Sequence, residues 1–186
     1  MTIHSLVSEF ASLDAQAFGR WLECADELRT IWQDADPTDC PLSYNETASM
    51  SFLCCAAGRA GFLAMADFAA DKVVGAGRCD LWLSNSTSEW AFEFKQDICE
   101  WPSVSQTRRS WDQAIECANC LMVEADVTRF AGLLLTDYRL EDRSQSAEWL
   151  DIQSRFAKEN ATLAWQLRAS PEAGGVNAVI MLKLFD

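Results

Sequence analysis

The chain has 186 residues, 49% of them hydrophobic, and a formal net charge of −13. That length supports one domain with a sizeable core, and that apolar fraction excludes a disordered chain. So negative a chain is a poor general binder of nucleic acid, which favours basic surfaces.

No apolar run approaches the roughly 18 residues needed to span a bilayer. The start, Met1-Thr2-Ile3-His4-Ser5, lacks the basic residues and apolar stretch of a secretory signal. The expectation is a cytoplasmic protein that does not engage membranes. Eight cysteines then read as reduced, mostly buried thiols. Cys117 and Cys120 have CxxC spacing, but His4 is the only histidine and no second CxxC completes a zinc site.

Charge is unevenly placed. Residues 1–40 carry eight acids against Arg20 and Arg29, whereas residues 59–111 carry seven acids against six bases. A locally balanced centre with acidic flanks follows.

In chain order, Phe18, Trp21, Leu22, Ala25, Leu28, Ile31 and Trp32 recur at helical spacing and predict an amphipathic helix over 14–33. A shorter helix is expected before it, making 1–40 a helical extension. Ser43-Tyr44-Asn45-Glu46 reads as a capping box opening a helix to about Arg59, ended by Gly61. The period then changes to alternation. Strands are predicted over 62–70, 78–84 and 89–96, with turns at Gly75-Ala76-Gly77 and Asn85 to Ser88. Trp101-Pro102-Ser103 breaks the pattern. Trp111, Ile115, Ala118 and Met122 mark a further helix. Residues 130–136 are apolar throughout, as a strand buried on both faces should be. A helix over 145–158 follows, then strands over 162–168 and 176–185 joined across Ser170 to Gly175. This order predicts a single-domain α/β fold, a mixed sheet with helices on both faces.

The hairpin over 78–96 carries the chemistry. If Ser84 faces Glu89 across the four-residue loop, Asp80 lies opposite Glu93 and Arg78 opposite Lys95. Alternation then sets Arg78, Asp80, Trp82, Glu93 and Lys95 on one face. Adjacent carboxylates repel, and a divalent cation relieves that repulsion; Mg²⁺ prefers such oxygen ligands. Lys95, one pleat along, is placed to position or help deprotonate a water for attack on phosphorus.

Gly77-Arg78-Cys79-Asp80-Leu81-Trp82 followed by Glu93-Phe94-Lys95 resembles the PD-(D/E)XK nuclease superfamily, over about residues 43–136. The resemblance implies a restriction-endonuclease-like core, with Asp80 as first carboxylate and Glu93-Phe94-Lys95 as the acid-x-lysine motif. It further implies Glu46 as the helical acid and Gln113 as a polar residue on the next helix. Cys79 stands where the motif's name has proline. The implied activity is phosphodiester hydrolysis of DNA with Mg²⁺ or Mn²⁺ held by Asp80, Glu93 and Glu46. Binding to DNA is expected to be weak and metal-assisted.

Plainer readings stand beside these. Glu93 and Lys95 also fit the polar side of an alternating strand, and Glu46 fits the third helical position of the capping box. Arg78 also fits a role limited to neutralising the carboxylates. Trp82 is the one tryptophan expected on the site face. A different class of function is a nuclease-like fold without catalysis, acting as an inhibitor or immunity protein through its acidic N-terminal helices.

Overall fold

The computed structural model describes residues 3–8, 13–36, 39–73, 76–140, 142–169 and 175–185. Gly75 in the first predicted turn and Ser170 to Gly174 in the last lie outside the described residues.

The elements run β1 (Ile3–Ser8), α1 (Leu13–Ala35), α2 (Glu46–Arg59), β2 (Leu63–Lys72), β3 (Ala76–Ser84), β4 (Glu89–Ile98), α3 (Ser105–Cys120), β5 (Leu121–Met122), β6 (Val127–Thr136), α4 (Ser146–Asn160), β7 (Leu163–Leu167) and β8 (Ala178–Phe185). The strands form one mixed sheet in the order β1-β7-β8-β6-β4-β3-β2-β5. β4 and β6 are parallel, joined by α3, and the other pairs are antiparallel. A hairpin strand followed by a helix and a parallel neighbour is the expected use of a helical crossover.

Apolar patterning decides which face each helix covers. On one face, Phe18 and Trp21 of α1 and Leu53 of α2 pack with Phe92, Phe94, Phe130 and Ile180. Phe18 meets Trp90, Phe92 and Phe130 edge-on at 5.3–5.7 Å, contacts that add about 0.5–1.5 kcal/mol each beyond area burial. On the other face, Trp111 of α3 and Trp149 of α4 pack with Leu133, Leu135 and Met181. The fully buried Arg29 of α1 is paired with Asp26 at 2.6 Å and donates to the carbonyls of Val176 and Arg168. It ties α1 to the β7–β8 end of the sheet, its charge offset within the core.

Two local expectations are corrected. No helix occupies residues 3–8; they form β1, an edge strand paired with β7, with an irregularity between Ser5 and Val7. Its ladder comes from a strand about as distant in sequence as the chain allows, so local periodicity carries no sign of it. The opening of α2 also differs. Pro41–Ser43 form a 3-10 turn, Asn45 is the N-cap, and its side chain accepts from Ala48 N at 2.9 Å. Glu46 is therefore the first helical residue, not the third, and the capping-box role is vacated. At the other end Gly61, at φ 97°, closes the helix as predicted, with Phe62 N donating to Ala57 O.

Candidate functional site

The β3–β4 register is the predicted one: Ser84 faces Glu89, Leu83 faces Trp90, Trp82 faces Ala91 and Leu81 faces Phe92. Asn85 sets the turn, its side-chain oxygen accepting from Thr87 N and Ser88 N. The ladder stops one residue before Asp80 and Glu93 would pair. There the Asp80 carboxylate enters the ladder itself, accepting from Phe94 N at 2.7 Å. The Asp80 charge acts on Glu93 and raises its pKa.

The other side of β3 is irregular at the same level. Ala66 faces Leu81 and Phe68 faces Cys79, but Asp67 between them is left-handed at φ 56°. Aspartate tolerates that conformation better than most residues. Above this level Ala66 and Leu81 pack with the larger core; below it Phe68 and Cys79 pack with Trp82 and Ala91 on the opposite face. Strict alternation therefore fails at Asp80. Arg78, expected beside the carboxylates, instead pairs with Asp67, each 64% exposed. Trp82 lies against Phe68, the rings nearly parallel at 5.3 Å.

Glu93 is only 2% exposed. Burial raises its pKa, Lys72 opposes that, and Asp80 raises it again. Lys72 Nζ lies 2.8 Å from Glu93 Oε1, a close ion pair, and its charge works against the effect of burial on Glu93. Lys72 was not anticipated. Gly77 was expected in a turn and instead lies in β3, where a glycine often marks the close approach of another group.

Lys95 lies one pleat beyond Glu93, donates to Phe94 O at 2.8 Å and pairs with Glu46 at 3.3 Å. Burial alone would lower its pKa, but Glu46 and then Asp80 outweigh burial and hold it above the ordinary lysine value. Glu46 and Asp80 thus favour the ammonium form of Lys95. Glu46 reaches it because α2 begins at Glu46 and because Gln96, beside Lys95, donates to Leu42 O in the preceding turn.

From α3, Cys117 faces this cluster: burial raises its thiol pKa, and Lys95, Glu93, Lys72 and Asp80 all act on it. Gln113 is one turn earlier on the same helix face and is exposed. The eight cysteines are free thiols.

The fold thus gathers Asp80, Glu93, Lys95 and Glu46, adds Lys72, and sets Gln113 at the margin. Among the described residues, no three Asp, Glu, Cys or His side chains converge as a ready metal cage. Glu46 is paired with Lys95 at 3.3 Å, and Asp80 and Glu93 are the carboxylates that the two strands supply. Two carboxylates with the remaining positions left to water and phosphate are a usual Mg²⁺ arrangement, and the chemistry of this pair fits it.

No family model, curated protein or solved structure matches this chain. No helix among the described residues is long and apolar enough to cross a membrane.

Proposed function

We propose that the protein is a Mg²⁺- or Mn²⁺-dependent phosphodiesterase acting on DNA, with a core of the PD-(D/E)XK, restriction-endonuclease-like type. The observation that carries this reading is the Asp80 carboxylate bound to Phe94 N, which sets it beside β4 between Glu93 and Lys95. The element order from α2 to β6, with β4 and β6 parallel, agrees with it.

In this reading Asp80 and Glu93 hold the divalent ion, which supplies charge stabilisation at phosphorus and a more acidic bound water. Lys95, kept as an ammonium by Glu46, orients the attacking water and offsets charge developing on the phosphoryl oxygens. In this reading the attacking water's proton would pass to solvent. Glu46 positions Lys95 and does not bind the ion. Gln113, exposed on α3, would assist from the margin of the cluster. Trp82 and Phe68 border a cleft of about 530 Å³ that also takes in Ala91 and Val127, room for a base flanking the scissile phosphate.

The second reading, a non-catalytic interaction protein, draws on α1 and α2. Leu28, Ile31, Trp32, Pro41 and Phe52 border an apolar groove of about 790 Å³, and Ile31 and Trp32 are 57% and 44% exposed. Calorimetric Mn²⁺ titration beside a cleavage assay on single- and double-stranded DNA separates the two. Metal binding with metal-dependent cleavage supports the nuclease. A chain that binds no metal and cuts neither substrate supports the interaction protein.

A further inference from the structure

Lys72 and Lys95 divide the carboxylates of the site between them: Lys95 pairs with Glu46 and Lys72 with Glu93. Lys72 lies outside the acid-x-lysine motif and comes from β2, two strands from Glu93. Its stem crosses β3 directly over Gly77, where a Cβ would stand 2.7 Å from Lys72 Cγ and Cδ. Any side chain at 77 would push that stem aside, so the absence of one holds the corridor open. At its end the ammonium meets a carboxylate that is otherwise buried, and a buried carboxylate requires a compensating charge. The Lys72 side chain itself retains 27% exposure, so it is not sealed in the core.

We propose that Lys72 is a displaceable internal counter-ion: its ammonium occupies the place beside Glu93 that a divalent cation takes, and binding of the cation expels it. This rests on the metal-dependent reading above. Two cations cannot share one buried carboxylate oxygen without strong repulsion, so the Lys72 pair opposes metal loading. A phosphodiester offers the expelled ammonium a new anionic partner, so metal and substrate favour each other's binding.

The test uses the full chain and Mn²⁺ alone. Lys72→Met keeps the stem and removes the charge; Gly77→Ala keeps the charge and displaces the stem. Both should bind Mn²⁺ about tenfold more tightly than wild type, within the range by which linked binding events shift one another. Acetylation of Lys72, read by mass spectrometry, should rise when Mn²⁺ is added, while that of the exposed Lys158 stays constant. If wild type binds Mn²⁺ but Lys72→Met binds it no more tightly, or Lys72 acetylation ignores Mn²⁺, the counter-ion role is wrong and the metal-dependent reading stands. If neither wild type nor Lys72→Met binds Mn²⁺, both fall.

Discussion

The Asp80 carboxylate accepts a hydrogen bond from the backbone N–H of Phe94 at 2.7 Å, so a side chain completes the β3–β4 ladder at the level of the candidate metal site. One residue therefore has a structural bond and a charge to offer, and the two are separable. Asp80→Asn keeps an acceptor for Phe94 N; Asp80→Ala leaves that donor without one. Asp80→Ala should lose about 1–3 kcal/mol of stability, and Asp80→Asn much less. Both should weaken Mn²⁺ binding. Urea unfolding beside calorimetry measures the two effects, and equal stability of Asp80→Ala and wild type would contradict the structural one.

Lys95 and Glu46 should fail differently from the carboxylate ligands. Lys95→Ala should abolish cleavage while leaving Mn²⁺ affinity intact or stronger, because a nearby positive charge is lost. Glu46→Gln should reduce cleavage by loosening Lys95, with Mn²⁺ affinity nearly unchanged, since Glu46 is placed on Lys95. A tenfold or greater loss of Mn²⁺ affinity in Glu46→Gln would return Glu46 to the metal-ligand role.

The start of α2 gives a test independent of function. Asn45→Ala should cost about 1 kcal/mol, the usual loss for an N-cap side chain that accepts from the first turn. Ser43→Ala should cost less, because Ser43 sits in the preceding 3-10 turn. The reverse ranking in denaturant unfolding would reinstate the capping box.

Asp97, two residues past Lys95, has its pKa pushed from an ordinary 3.8 to about 6 by burial, with a hydrogen bond from Gln106 opposing the shift. An acid with a raised folded pKa holds its proton more tightly in the folded state. Its contribution is best below about pH 3.8, declines as pH rises to about 6, and stays lower above that. The decline amounts to at most ~3 kcal/mol. Asp97→Asn keeps the acceptor for Gln106 and removes the charge. It should flatten this part of the pH dependence and be more stable than wild type at pH 8. The check is chemical unfolding of both proteins from pH 4 to pH 8, and parallel curves would rule the effect out.

Much of the architecture follows from the sequence alone, because local patterns carried it. Helical spacing through Phe18, Trp21 and Ala25 marks α1, and the apolar run through Leu133, Leu134 and Leu135 marks the parallel strand β6. The four-residue loop at Asn85 fixes the β3–β4 register, hence the approach of Asp80 to Glu93, since a short turn leaves little freedom of pairing. What only the tertiary structure decided depends on partners distant in sequence or on a broken local rule. β1 exists through pairing with β7, and Glu46 was freed for Lys95 by a two-residue difference in where α2 is capped. Asp67 and Asp80 interrupt alternation together, which sent Arg78 away from the site. Lys72 reached Glu93 across an intervening strand because Gly77 has no side chain to block it. Periodicity records which face a residue prefers. It holds no record of a long side chain crossing a neighbouring strand, because that contact depends on the space left between strands once the sheet has assembled.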